Sequence, residues 1–320
     1  MVTAPRIVAL GGGHGLYVSL SALRPLTENL TAIVTVADDG GSSGRLRQEM
    51  GIVPPGDLRM ALSALCEEGE WGRTWRDVLQ TRFSTPGPLD GHSLGNLLIA
   101  GLWERTGDVV EGLDWVAKLL RAQGRVLPLA SEPLQISALV QDVHGIRLVE
   151  GQAAVARAHG TVTSLDIQPS APHVPQATLE SIRDADVVVL GPGSWYTSVM
   201  VHFLVNEVAD ELVAAGDRTI LALNIAYDDV ETSGTDRADD VRALRRIEPR
   251  FRPAIVLADA THGADPCLIA EVESWGSRLV VADMKRADAT DRHDVGRLAA
   301  QFCRLIQDVR AAGDPQVMRG

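Results

Sequence analysis

Two glycine-rich stretches carry the first chemical signal. Gly11-Gly12-Gly13-His14-Gly15-Leu16 follows one short apolar run, and Gly191-Pro192-Gly193-Ser194 follows another. Glycine lets a backbone turn tightly and lie against a ligand, and a helix starting there aims unpaired amides and the positive end of its dipole at an anion. Phosphate or diphosphate is therefore the group such a pair would hold, the alternative being a merely structural strand-to-helix turn. Counting from Gly11 puts Leu16, and counting from Gly13 puts Val18, where G-x-G-x-x-G needs its last glycine. That incomplete fingerprint weakens a nicotinamide-cofactor reading.

The stretch Asp38-Asp39-Gly40-Gly41-Ser42-Ser43-Gly44-Arg45 mixes carboxylates, amides, hydroxyls and a guanidinium. Its acids suit ribose or sugar hydroxyls, or a divalent ion bridging to phosphate, and Arg45 suits phosphate oxygens. Read as structure alone, it is a capped, solvated turn. Asp57 enters a helix start from Pro54-Pro55-Gly56 and reads first as a cap. Asp39 and Asp57 are the candidate magnesium ligands. His92, with Asn96 one turn on, is the strongest general acid or base candidate, so the catalytic candidates are Asp39, Asp57 and His92. Asn224 ends a strand, with Glu231 and Thr232 beyond it, while Asp259, Asp283 and His262 are weak individually. Ser194 is not in a G-x-S-x-G elbow, which argues against a hydrolase triad.

Positioning these groups requires strands with helices between them. Unalternating apolar runs predict buried strands at Arg6 to Leu10, Thr31 to Ala37, Asp186 to Leu190, Thr219 to Asn224, Ala254 to Ala258 and Arg278 to Ala282. The fold expected is α/β: a Rossmann-like, doubly wound, mainly parallel sheet of six strands. The region from about 60 to 182 reads as a mixed α/β insertion forming part of the cleft, with helices at Leu58 to Leu65 and Leu94 to Trp103 and alternating segments near Leu134 to Val140 and Ile146 to Val155. Residues 1–320 are read as one domain.

A formal charge of −12 has the wrong sign for a general nucleic-acid binder, and small molecules become the expected partners. Lysine occurs only at Lys118 and Lys285, neither in a G-x-x-x-x-G-K-[ST] setting, which excludes a P-loop NTPase. Cys66, Cys267 and Cys303 form no metal or disulfide pattern and read as buried thiols. No apolar run reaches the roughly 18 to 20 residues of a membrane span, so a cytoplasmic chain is expected, and a homodimer is the default assembly.

Taken in order, GGGHGL from Gly11, VTVADDGGSSGRLR from Val34 to Arg47, PPGDLR from Pro54 to Arg59, GHSLGNLLIA from Gly91 to Ala100 and ADVVVLGPGSWYTSV from Ala185 to Val199 resemble the YvcK-like gluconeogenesis factors. These are grouped with CofD, the phospholactate transferase of deazaflavin coenzyme synthesis. The resemblance implies a nucleotide between the two glycine loops. In the YvcK branch it implies binding of UDP-sugars, UDP-N-acetylglucosamine in particular, and a part in cell shape and wall synthesis. In the CofD branch it implies magnesium-assisted phospholactyl transfer to a deazaflavin alcohol. GGSSGRLR after the acids matches the YvcK branch. On that reading Gly11 to Leu16 and Gly191 to Ser194 hold the diphosphate, Asp38 or Asp39 meets ribose or sugar hydroxyls, and His92 with Asn96 lines the sugar side. His14 stands where that family often has threonine and Tyr17 where it has serine; Val201 and Val230 also depart from its pattern.

Overall fold

The computed structural model describes residues 4–225, 236–263 and 265–312. Seven parallel strands form its centre: β1 (Ile7–Gly11), β2 (Leu30–Val34), β3 (Arg125–Pro128), β7 (Val187–Leu190), β8 (Thr219–Ala222), β9 (Ile255–Asp259) and β10 (Arg278–Ala282). Their spatial order is β10-β9-β8-β7-β1-β2-β3. Every pairing in that sheet is parallel, with Leu10 opposite both Ile33 and Leu190. β1, β7, β8 and β9 are buried along their whole lengths, which is why they read as continuous apolar runs.

Helices join and flank these strands: α1 (Gly13–Leu23), α2 (Gly41–Met50), α3 (Gly56–Leu65), α4 (Glu70–Gln80), α5 (Leu94–Thr106) and α6 (Val109–Leu120) lie between β1 and β3. A second sheet follows, antiparallel and ordered β5-β4-β6, made of β4 (Gln135–Asp142), β5 (Gly145–Glu150) and β6 (Thr161–Gln168), with the helical turn α7 (Gln152–Val155) beside it. The chain then runs through α8 (Gln176–Asp184), α9 (Asn206–Ala214), α10 (Arg237–Ile247) and α11 (Pro266–Trp275). A small hairpin, β11 (Lys285–Arg286) with β12 (Ala289–His293), precedes the last helix, α12 (Val295–Ala312). Among the described residues no helix is long and apolar enough to cross a membrane.

The fold is the Rossmann-like doubly wound sheet expected, with a mixed insertion, and differs in several details. β8 stops at Ala222, two residues early, and the segment expected to alternate as far as Val155 leaves its strand at Glu150 for the helical turn α7. The seventh strand, β3, comes from inside the inserted region; four residues ending in proline are too few to show a period. β6 also lacked a legible pattern, because its pairing with β4 shifts between Leu139 and Val140 and breaks the in-out alternation. β2 ends at Val34, three residues early, its last ladder bond to β1 running from the Thr35 N–H to the Gly11 carbonyl at 3.0 Å. Of the three cysteines only Cys66 is buried; Cys267 and Cys303 sit on the outer faces of α11 and α12.

Ile33 is wholly buried at the middle of β2. Truncation to alanine should lower the unfolding free energy by about 2–5 kcal/mol in a denaturant titration, and a loss under 1 kcal/mol would contradict its place in the core.

Candidate functional site

From β1 the chain steps to β2 on one side, and from β7 to β8 on the other, so the crevice at this reversal lies beyond the carboxyl ends of β1 and β7. Each of these two strands runs into one of the glycine stretches. The loops touch main chain to main chain: a Cβ on Gly15 would lie 2.2 Å from the Pro192 carbonyl oxygen and 2.6 Å from the Gly193 Cα. Gly191 has φ +79°, and a Cβ there would meet the Ala222 carbonyl at 2.7 Å. Ser19 donates its hydroxyl to the Gly191 carbonyl at 2.9 Å. Asn224 clamps Gly193 twice, its Oδ1 accepting the Gly193 N–H at 2.9 Å and its Nδ2 donating to the Gly193 carbonyl at 2.8 Å. Asn224 thus positions the second loop.

The two loops differ as anion sites. After the first comes α1, whose N-terminal amides, those of His14 and Gly15 among them, have no carbonyl partner within the helix. His14 itself points to solvent, and Tyr17 is partly buried. The expected helix after Gly193 is instead a π turn over Trp195–Val199, then a 3-10 turn over Met200–Leu204. The Ser194 carbonyl accepts from both Ser198, at 2.9 Å, and Val199, at 3.1 Å, which widens that turn. The second loop therefore offers peptide groups without a long helix dipole behind them.

Asp57 does not cap its own helix. Its carboxyl lies instead beside Gly13 and Thr35, whose N–H and hydroxyl favour its charged form. Gly12 lies between these groups and Ser198: a Cβ on it would come within 2.8 Å of Asp57 Oδ2 and Thr35 Oγ1. Burial, then the nearby charge of Asp38, raises the Asp57 pKa to about 7. Asp38 accepts the Gly40 N–H at 2.9 Å, and its other oxygen faces Gly56. Asp39 points away, accepting the Ala153 N–H at 2.9 Å on the inserted sheet's side. The tandem acids are thus divided, and Asp57 pairs with Asp38 rather than Asp39.

Side chains of one helix satisfy the first amides of the next. Ser43 Oγ on α2 accepts the Gly56 N–H that opens α3, at 3.0 Å; Ser42 Oγ accepts the Ser93 N–H that opens α5, at 3.3 Å; Asp57 on α3 serves α1. Ser42 Oγ also accepts from Asn96 Nδ2 and lies 3.1 Å from His92 Nδ1. With both lone pairs occupied, its one proton goes to Nδ1, which leaves the His92 proton on Nε2. Burial, then Arg45, holds the His92 pKa down. Ser42 and His92 are 4% and 6% exposed, and their contact ties the start of α2 to the start of α5. Asn96 Oδ1 accepts from Arg59 Nε at 2.8 Å, and Arg59 continues to Gln80, which donates to Ser63. Asn96 is therefore committed inside the protein. Arg45 donates to the carbonyls of Asp90, at 2.7 Å, and Pro88, at 3.3 Å, holding a loop.

Elsewhere, Asp259 accepts from Thr261 and the Met284 N–H, Asp283 pairs with Arg297, and His262 bonds the Ile225 carbonyl. Glu231, Thr232 and Val230 lie outside the described residues, and Val201 is buried. Among the described residues no three His, Cys, Asp or Glu side chains are grouped to hold a metal. Thr35, Ser198 and Arg47 join the surroundings of the site; each lies inside a motif quoted above, but no local rule separates it from its neighbours there.

Gly15→Ala should lose about 1–3 kcal/mol of stability and separate the loops, and a variant with the wild-type denaturation midpoint would disprove their contact. For Asp57, the unfolded carboxyl titrates near 3.8 and the folded one near 7. Between those values the folded chain holds the extra proton, so stability falls as pH rises and levels off above the upper one. Denaturation of wild type and Asp57→Asn in chelator-containing buffer should show the wild type losing ground to the variant across that interval; a constant difference would refute the raised pKa.

The family model described as 2-phospho-L-lactate transferase CofD matches residues 7–308. A relative from Mycobacterium tuberculosis is 44% identical over 319 residues, covering 97% of this chain and 93% of its own. The protein named gluconeogenesis factor in Bacillus subtilis is 37% identical over 242 residues, 76% of this chain and 74% of its own. The crystal structure of a UPF0052 family member from Bacillus halodurans superposes with a TM-score of 0.84 at 31% identity, covering 94% of this chain and 99% of that one. With the glycine loops, the divided acids and the parallel sheet all in place, the chain belongs to the CofD family and, within it, to the YvcK-like gluconeogenesis factors.

Proposed function

We propose that this protein binds a UDP-sugar, UDP-N-acetylglucosamine in particular, in the cytoplasm and as a homodimer, and that it links carbon metabolism to cell shape and peptidoglycan precursor synthesis. The observation that carries this reading is the pair of glycine loops locked together at the reversal of strand order, beside the N-terminus of α1. Peptide N–H groups of the first loop bind the diphosphate, aided by the helix dipole. Asp38, beside them, accepts from ribose hydroxyls. The name borne by the Bacillus subtilis relative supports the metabolic role.

A second reading, magnesium-dependent phospholactyl transfer to a deazaflavin alcohol, is favoured by one feature, the Asp38–Asp57 pair. Two carboxylates close enough for Asp38 to raise the Asp57 pKa form a donor set that suits magnesium, whose remaining ligands are usually phosphate oxygens and water. Asp38 and Asp57 would hold the ion, which would neutralise charge on the phosphoryl oxygens.

Calorimetric titration with UDP-N-acetylglucosamine, UDP-glucose, UDP, GDP and NAD, each with and without magnesium, tests both readings when the ligand is recovered afterwards. Selective binding of a UDP-sugar that returns intact is expected, weakened about tenfold or more by Asp38→Ala. Tight, magnesium-dependent GDP binding would overturn the first reading in favour of the second.

A further inference from the structure

Beyond the Asp38–Asp39 peptide lies a second concavity of about 400 Å3, between the middle and C-terminal half of α2 and the inserted sheet. Asp39, Arg47, Gln48, Gln135, Glu150 and Gln152 line it. Its volume falls in the range of ligand pockets, about 300–1,000 Å3. The Arg47 guanidinium is held in place by the carbonyls of Leu134, at 2.8 Å, and Ala37, at 3.2 Å. Asp39 has one oxygen on the Ala153 N–H, at 2.9 Å. Gln48, Gln135 and Glu150 make no side-chain hydrogen bond or ion pair among the described residues, and Gln152 Oε1 is buried without a partner. A buried carbonyl oxygen left unpaired costs about 1–3 kcal/mol, which a donor from a ligand would recover.

The lining states what that ligand is. Two carboxylates against one guanidinium leave a net negative wall, which repels a second phosphate. Three side-chain amides, each both donor and acceptor, together with carboxylate acceptors, match neighbouring hydroxyl groups on an uncharged ring. Asn96, expected on the sugar side, has both amide atoms engaged with Ser42 and Arg59, while His92 is tied to Ser42 through Nδ1 alone.

We propose that this pocket is the sugar subsite, taking the neutral polyhydroxyl half of a nucleotide-sugar whose diphosphate lies on the glycine loops. The assignment rests on the nucleotide-sugar reading above and adds to it Arg47, the last residue of a motif quoted above, and four residues outside every motif, Gln48, Gln135, Glu150 and Gln152.

Two measurements on the intact chain test it: calorimetry with UDP and with UDP-N-acetylglucosamine, and saturation-transfer NMR with free N-acetylglucosamine. Wild type, Gln48→Ala and the double variant Glu150→Ala/Gln152→Ala are compared, with circular dichroism reporting folding. Wild type should bind the UDP-sugar about tenfold more tightly than UDP, and the double variant should close that gap and lose saturation transfer. A double variant that is folded and keeps the full preference for the sugar overturns the subsite. If wild type binds neither nucleotide, the nucleotide-sugar reading falls; saturation transfer that the double variant abolishes then still supports a sugar pocket, and none from wild type overturns it.

Discussion

The site depends on an approach of two main chains that no side chain could share. Gly15 lies against Pro192 and Gly193 so closely that a single methyl group would come within 2.2 Å of a carbonyl oxygen. Through that contact the loops after β1 and β7 become one surface, and Ser19 and Asn224 secure it from either side. The first-loop amides are fixed before any ligand arrives, so binding there would have little ordering left to supply.

A second constraint follows from the number of helices that start here. α1, α2, α3 and α5 all begin near the crevice, and each brings N–H groups without partners in its own first turn. The fold answers by lending side chains between helices: α2 serves α3 and α5, and α3 serves α1. The loan to α1 places a second carboxyl near Asp38, and burial with that charge keeps it partly protonated near neutral pH. The crevice of an acidic protein thereby carries less negative charge near neutral pH than its carboxyl count implies.

This borrowing explains which parts of the site were legible in the sequence. The long apolar strands were plain, since burial on both faces leaves a run of Val, Ile and Leu with no alternation; β3 and β6 were not, one too short and the other shifted in register. The glycine loops were legible because their composition reports backbone geometry directly. Asp57 was misread as a cap for its own helix, because local rules have no means of seeing that it serves another. Ser42, Asn96 and Arg45 were equally opaque: polar side chains beside a ligand loop look alike in sequence whether they face the crevice or are used up inside the protein. The order of motifs identified the family for a different reason, since five of them had to coincide along one chain.

Recognition through peptide groups also shapes how such a protein can vary. A main-chain N–H has no codon of its own, and exchange of the exposed His14 side chain leaves every amide of its loop where it was. The family can therefore accumulate differences at the rim while the peptide floor of the loops persists, and proteins with different chemistry can share one scaffold. Heritable lesions that silence the site should accordingly concentrate at Gly15, Gly191, Ser19 and Asn224, in glycines that cannot grow and supports that hold them, more than in the side chains nearest the ligand.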